Sequence, residues 1–458
     1  MSLPDFKNAR PVGTARDFAA WTIAHGLQRR FLRKGAAGGD LIARLATDPE
    51  LIAEPYAAYE ELRSQGRLVR NGFIGGTVDH EVGNAILRSE DFGTGAGLAE
   101  LPAPLRRLHA LAREDDTLSP VDPPSMLVVD PPQHTRYRKL VARSFTARKV
   151  GRMSDRVTGV AERLLDDLTA SVRPGEPVAF DLVDRYAAQL PVAVIADLLG
   201  IPESERELVL EWGNHAAVTL DPGLSWSQFR TASAALREMH AWFAHHLERL
   251  RRDPGDDLMS QLLLDQQQSA ARGEEQLTDV EVHAVGLLVL GAGFETTVNL
   301  IGNAVALLDQ HPDQLRALQA DPEGWPNAVE EVLRHESPVQ LTMRAAMRDT
   351  EVAGERVAEG EAILVYLSAA NRDPHVFDDP ARFDVARPNA GENLSFSAGI
   401  HYCVGASLAR LEATAGLRML YERFPDLRVA GTPVRRGTRV LRGYAELPVV
   451  SGAELPVS

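Results

Sequence analysis

Phe396-Ser397-Ala398-Gly399-Ile400-His401-Tyr402-Cys403-Val404-Gly405 holds the only cysteine among 458 residues. A lone thiol makes no internal disulfide and no multi-cysteine zinc site. Glycines punctuate this loop, and a strong helical pattern follows it. A thiolate held there is well placed to be the axial ligand of a haem iron, although the loop alone also allows a buried structural cysteine. A single cysteine suits a reducing compartment, and a cytoplasmic location is the expectation.

Composition narrows the classes around that loop. The chain is 44% hydrophobic and 25% charged, ordinary globular values, and long enough to enclose a cofactor. A net charge of −15 argues against nucleic acid as a partner. No uninterrupted apolar run approaches the ~18 residues that span a bilayer, and no signal-peptide pattern is visible. The charge is uneven, however. Arg136, Arg138, Lys139, Arg143, Arg148, Lys149 and Arg152 follow one another without an acid between them. That run fits a solvated helix face or a docking site for an acidic protein.

Residues 1–39 read as a leader, with Phe18, Trp21, Leu27, Phe31 and Leu32 among Arg29, Arg30, Arg33 and Lys34. Such a segment lies on a membrane surface as an amphipathic helix or, more commonly, packs on its own protein. Residues 40–458 read as one mainly α domain with small β-sheets. Helical patterns fall at about 54–66, 81–89, 133–146, 154–171, 181–199, 203–215, 226–252, 278–310, 312–320 and 325–336. Strand-like pieces fall near 68–79, 350–353, 356–358, 362–367 and 438–450.

Thr278-Asp279-Val280-Glu281 fits a capping box. The helix it opens is predicted to run to about Gln310, and at ~1.5 Å per residue it crosses most of a domain. Its middle reads Leu287-Leu288-Val289-Leu290-Gly291-Ala292-Gly293-Phe294-Glu295-Thr296-Thr297. Each interior glycine costs about 1 kcal/mol relative to alanine, and a carboxylate inside an apolar helix needs partners. Local rules are broken in this way where function demands it. Small residues admit a flat, bulky group, a threonine hydroxyl can hold a ligand, and Glu295 with Thr296 can hold water and pass protons. Tight helix packing with a capped kink explains the same residues.

Together the cysteine loop and this helix resemble the cytochrome P450 family. The loop matches Phe-x-x-Gly-x-His-x-Cys-x-Gly, and Ala292–Thr297 matches the oxygen-binding helix. Glu331-Val332-Leu333-Arg334, His134-Thr135-Arg136-Tyr137-Arg138, Ala370-Asn371-Arg372-Asp373-Pro374 and Phe383-Asp384-x-x-Arg387 follow the family pattern in order. The resemblance runs from about residue 40 to the end and is strongest to actinobacterial, particularly mycobacterial, members. Ser397 departs from it, standing where glycine is frequent.

The resemblance implies a single-domain P450 fold around haem b (iron protoporphyrin IX). Cys403 would be the metal ligand, donating electron density that favours O–O cleavage. Phe396 and Gly405 would shield and approach it, while Ala292 and Gly293 would lie over the haem face. His134, Arg138, Arg344 and His401 would meet the propionates. Thr296 and Glu295 would carry the catalytic protons. Glu331, Arg334 and Arg387 would form a structural network under the loop. Substrate would touch Leu287, Leu288, Val339, Leu341, Thr342 and Tyr444, with the variable stretches 94–120 and 212–226. The implied reaction hydroxylates or epoxidises a hydrophobic molecule of lipid, polyketide, terpene or steroid type. It uses O2 and electrons from NAD(P)H through ferredoxin reductase and ferredoxin, since no flavin or ferredoxin domain is fused. A peroxide-driven peroxygenase and a non-catalytic haem- or ligand-binding protein are the rival readings. Glu295 and Thr296 weigh against both.

Overall fold

Thr278 Oγ1 accepts from the Glu281 amide at 3.2 Å, and the Glu281 carboxylate accepts from the Thr278 amide at 2.7 Å. Two orphan donors of a first helical turn are thereby satisfied, and the helix Asp279–Gln310 runs unbroken from that cap. The structure is a computed structural model and describes residues 14–71, 74–94, 121–170, 173, 176–273 and 276–452. Within it the helix is the central beam. Gln189–Leu199, Trp226–Arg252, Trp325–His335 and Ala406–Arg423 pack around it. By length and apolarity it could cross a membrane, unlike any run found by reading uninterrupted apolar residues, yet its apolar window is mostly buried inside the protein. Polar residues such as Glu295, Thr297, Asn299 and Asn303 interrupt the apolar run but are themselves buried.

The sheets are small and peripheral. Val69–Arg70, Gly75–Thr77, Ala362–Val365, Thr342–Ala346 and Phe92–Gly93 form a five-stranded sheet in that spatial order. Gly75–Thr77 runs parallel to Ala362–Val365, and the other pairs are antiparallel. The register sets Arg344 opposite Ile363. Pro448–Ser451 pairs on one side with Val178–Asp181 and on the other with Arg428–Val429.

That second sheet corrects one reading. Residues 181–199 are not one helix: Asp181 closes a strand opposite Pro448, a π-helical turn covers Val183–Ala187, and the α-helix begins at Gln189. The partner strand lies far along the chain, so local periodicity could not reveal it. A helix at Leu258–Arg272 was also missed, although Asp257 caps its N-terminus and Gly273 ends it in the left-handed conformation.

In the leader, Ala15–Trp21, a π-helical turn Thr22–Gly26 and Leu27–Ala37 pack inward on the connection before Trp226–Arg252. Trp21 Nε1 donates to the Leu224 carbonyl at 2.9 Å, and Arg237 meets Asp17 at 2.7 Å.

Buried His335 illustrates how tightly the interior is set. Its Nε2 lies 3.0 Å from the Ala381 carbonyl, and its Nδ1 lies 3.0 Å from Arg372 Nη2. The guanidinium can only donate, so the ring is neutral with its proton on Nε2. Burial first, then Arg372, depresses its pKa to about 3. The unfolded chain takes up this proton first, at about pH 6.5. Stability is therefore full above pH ~6.5 and falls as pH drops toward 3, by roughly 2 kcal/mol at pH 5 from this residue. His335→Gln should flatten that part of the urea-unfolding profile; an identical pH profile would refute the assignment.

Candidate active site

The cysteine loop is built backwards from Cys403. Its amide donates to the Phe396 carbonyl at 2.9 Å, closing the loop on itself. Gly399 has φ 67° and lies against Leu87, whose carbonyl would stand 2.2 Å from any Cβ there. Ser397 also takes a left-handed conformation, with φ 61°, and its buried Oγ has no hydrogen-bond partner. Left-handed backbone costs a non-glycine residue about 1 kcal/mol. Ser397→Gly should raise unfolding free energy by about that much, read by urea denaturation; a loss of stability would show that this serine makes a contact worth more than the strain.

Burial pushes the Cys403 thiol pKa upward, opposed by the Gly405 amide, then Arg138 and Arg410, and the Ala406 amide. Arg410 pairs with Glu330, donates to Tyr402 Oη at 3.1 Å and lies 4.4 Å over the Phe396 ring. The cysteine is deep within the fold, yet its side chain is exposed. A residue surrounded by protein yet open on one side lies in a recess. Such a thiol, fed by N–H donors and next to cations, is suited to ligating a metal as thiolate.

A second opening lies on the central helix. Gly291 and Gly293 are partly open in an otherwise buried stretch, where Ala292 is exposed and Thr296 half-exposed. Ala292 and Thr296 are four residues apart and share a face. Thr296 Oγ1 donates to the Ala292 carbonyl at 3.3 Å, which leaves its lone pairs free to accept. Gly293, between them, is partly exposed and also packs on a neighbouring helix. A Cβ there would meet Ile195 Cδ1 at 2.5 Å, so its small size serves packing against Gln189–Leu199. Gly291 is the glycine with open space beside it. Glu295 is buried with one oxygen 3.0 Å from Arg436 Nη1, within ion-pair reach, though neither oxygen makes an aligned hydrogen bond. Burial raises its pKa, and Arg436 opposes the rise.

His134, Arg138, Arg344 and His401 come together. The rings of His134 and His401 lie 4.2 Å apart, and Arg138 donates to the Tyr402 carbonyl at 2.5 Å. Buried Arg344 donates to Thr342 Oγ1 at 3.1 Å and the Met343 carbonyl at 2.8 Å. Burial, Arg344, His134 and Arg138 hold the His401 pKa down to about 3, and burial lowers that of Arg344 to about 10. Asp130 is 3.8 Å from His401 Nε2, which is buried without a hydrogen bond. Four donors crowd one place, where among the described residues one carboxylate, Asp130, stands at a distance. The donor set and the orphaned Nε2 fit a group carrying two carboxylates, as a haem does.

Beneath the loop, Glu331 receives Arg334 at 2.7 and 2.8 Å and Arg387 at 3.1 and 3.2 Å, and all three side chains are buried. Arg334 also donates to the carbonyls of Asn371, Pro380 and Arg382. Sequence reading put this network under the loop but did not identify the residue that joins the two. Asn371 accepts from the Leu394 amide at 2.6 Å and donates to Ser395 Oγ at 2.8 Å, and Ser395 donates to the Leu333 carbonyl. Asn371 lay in plain view inside the Ala370–Pro374 motif.

The substrate residues divide. Val339, Leu341 and Thr342 are half-buried on the strand side. Leu287 and Leu288 are packed in the core, and Tyr444 is covered by the Arg435 guanidinium at 4.2 Å. Residues 95–120 lie outside the described ones. In the basic run, Arg136 is engaged by Glu281, which also accepts from Tyr137 Oη at 2.5 Å. Lys139, Arg143, Arg148 and Arg152 are exposed.

Residues 209–323 and 326–430 match the family model Cytochrome P450. The chain is 48% identical over 437 residues to cytochrome P450 140 of Mycobacterium tuberculosis, covering 95% of this chain and 98% of that one. It is 42% identical over 323 residues to the 6-deoxyerythronolide B hydroxylase of Saccharopolyspora erythraea, covering 70% and 76%. Among solved structures it resembles P450BioI in complex with an acyl carrier protein bearing hexadec-9Z-enoic acid. That match has a TM-score of 0.76 and 31% identity, and covers 88% of this chain and 100% of that one.

Proposed function

The chain belongs to the cytochrome P450 family and is a haem monooxygenase acting on hydrophobic substrates, and from that premise we propose that Cys403 Sγ ligates the iron. The observation carrying this is the depth of Cys403 combined with its open side. Phe396 and Arg410 cover the sulfur's outer side, and the Gly405 and Ala406 amides share its negative charge. His134, Arg138, Arg344 and His401 hold the propionates. The bound haem supplies O2 activation, with one oxygen atom going to substrate and the other to water.

The chain's own residues govern protons and access. Ala292 keeps the central helix thin beside the haem face. Thr296 Oγ1, donating to Ala292, accepts from a proton donor on the oxygen side and excludes loose water. Glu295 takes up a proton more readily than an exposed glutamate, because burial disfavours its charge; it supplies protons toward Thr296, with Arg436 setting when it is charged. Half-buried Val339 and Leu341 offer apolar surface beside the Thr342 hydroxyl, which suits a lipid or polyketide-like substrate. The relative named for 6-deoxyerythronolide B, and the solved neighbour in complex with a fatty acid on its carrier protein, favour that class. Electrons come from NAD(P)H through ferredoxin reductase and a ferredoxin docked on Arg143, Arg148 and Arg152.

Reconstitution with a surrogate ferredoxin system tests the scheme. Reductant-driven turnover should exceed peroxide-driven turnover and slow with added salt. In Thr296→Ala, product per reductant should fall about tenfold or more while the reduced carbon monoxide spectrum stays unchanged. Unaltered coupling removes Thr296 from proton delivery, and turnover with peroxide alone favours the peroxygenase.

A further inference from the structure

Glu295, Asn299 and Asn303 stand four residues apart on the central helix, and all three are buried. At this spacing they share one face, and that face meets the segment 435–444. Asn303 uses both ends of its amide. Its Nδ2 donates to the Glu336 and Arg442 carbonyls at 3.1 Å, and its Oδ1 accepts from Arg435 at 3.4 Å. The two residues before it differ. Glu295 is 3% exposed and Asn299 1%, and none of their four side-chain polar atoms has a hydrogen-bond partner.

Both side chains lie against one pair of residues. Arg436 Nη1 stands 3.0 Å from Glu295, a Cβ on Gly443 would collide with the Asn299 amide, and the Arg436 amide donates to the Gly443 carbonyl at 3.1 Å. Arg436 is the step to the surface. Its Nε donates to the Tyr444 carbonyl at 3.2 Å, and its Nη2 donates to Asn214 Oδ1 at 3.1 Å. Asn214 is exposed near the end of the helix Arg206–Ala216. Buried polar groups without protein partners are costly, and several of them facing one space are the setting in which buried water is held. The Asn299 amide suits this use because it both donates and accepts. A guanidinium only donates and keeps its proton, so Arg436 cannot itself deliver one. A proton reaching Glu295 from this side must come through water.

We propose that Glu295, Asn299, Arg436 and Gly443 enclose a buried water site, and that Asn299 is the positioning residue holding its water against the Glu295 carboxyl as the last carrier of protons from solvent at Asn214. The inference rests on the reading that Glu295 and Thr296 carry protons, and it supplies the source of each next proton. When Glu295 passes its proton toward Thr296, the water gives the carboxylate a replacement and recovers one from solvent past Arg436. One proton enters from bulk for each one passed on, and no group of the chain ends altered. A bound alkali cation fits less well, because the Arg436 guanidinium already sets a positive charge 3.0 Å from the carboxylate.

A high-resolution crystal structure of the haem-loaded full chain is the first test, and it needs no variant. It should show an ordered water about 3 Å from both the Asn299 amide and a Glu295 oxygen; direct contact between the two side chains, or packing with no water, overturns the proposal. Asn299→Leu is the functional test. It removes an unpartnered amide at similar volume, so thermal stability and the reduced carbon monoxide spectrum should hold. Reductant-driven turnover should slow about tenfold or more at unchanged KM, with a larger solvent deuterium isotope effect. In the infrared, the Glu295 carboxyl stretch, identified by its loss in Glu295→Gln, should move to higher frequency as its water partner goes. Asn299→Ser, whose hydroxyl donates and accepts, should restore most of the rate. An unmoved carboxyl band with an unchanged isotope effect, or a serine variant as slow as the leucine one, overturns the inference. Thr296→Ala separates the failures. Unaltered coupling there removes the relay and this supply with it, whereas lost coupling beside a wild-type band and isotope effect in Asn299→Leu removes the water site alone.

Discussion

Glu331→Ala is expected to destabilise the chain by about 3–5 kcal/mol and to yield protein that retains little haem. Glu331 accepts four side-chain contacts from Arg334 and Arg387 and a fifth hydrogen bond from the Asp384 amide at 2.9 Å. Truncation leaves two buried guanidinium groups with backbone carbonyls alone. Those carbonyls belong to residues 371–382, the segment from which Asn371 holds Leu394 and Ser395 at the entrance to the cysteine loop. The damage should therefore reach the haem rather than stop at the ion pairs. Urea unfolding and the haem-to-protein ratio measure it. Glu331→Gln, which keeps the volume and an acceptor oxygen, should lie between wild type and alanine. Full haem content with an unchanged reduced carbon monoxide spectrum in Glu331→Ala would show that the network is dispensable to the loop.

How far the sequence could be read depended on how local each cause was. The cap at Thr278 was legible because both halves of the capping box lie within four residues. Its second use was not, since Glu281 also holds Arg136 and Tyr137 from a helix nearly 150 residues earlier. Arg344 was placed among the propionate ligands by resemblance alone, while its position is set by pairing of Thr342–Ala346 with Ala362–Val365, which no local pattern encodes. Glycines in the central helix signalled close approach without saying of what. For Gly293 the answer is Ile195, a neighbouring helix. Glu295 was read as a relay acid in need of partners, but which partner was invisible: Arg436 sits beside a strand pair formed by Val434–Arg435 and Tyr444–Glu446. The Leu258–Arg272 helix is different in kind. Its cap and its terminal glycine were both local, and its run of glutamines hid the apolar positions between them.

Cys403→Ser should bind haem and yet lose monooxygenase turnover by at least on the order of 10³-fold, because it alters the iron's own reactivity rather than one hydrogen bond, whose loss alone costs ~10²–10³. Binding should survive because the cationic cluster of His134, Arg138, Arg344 and His401, which would hold the two carboxylates, is untouched by the substitution. Serine's hydroxyl also suits the Gly405 and Ala406 amides as an acceptor. What fails is charge. A thiol whose pKa is raised by burial is still deprotonated by a bound cation, and a hydroxyl in the same place stays a neutral, weak ligand. The reduced carbon monoxide band should accordingly move to shorter wavelength, with near-wild-type haem content. Arg344→Ala supplies the complementary result: a retained thiolate-type spectrum with weaker haem retention. If Cys403→Ser kept both its spectrum and its turnover, the deep cysteine with one open side would be no more than packing, and the iron would have to be held from elsewhere.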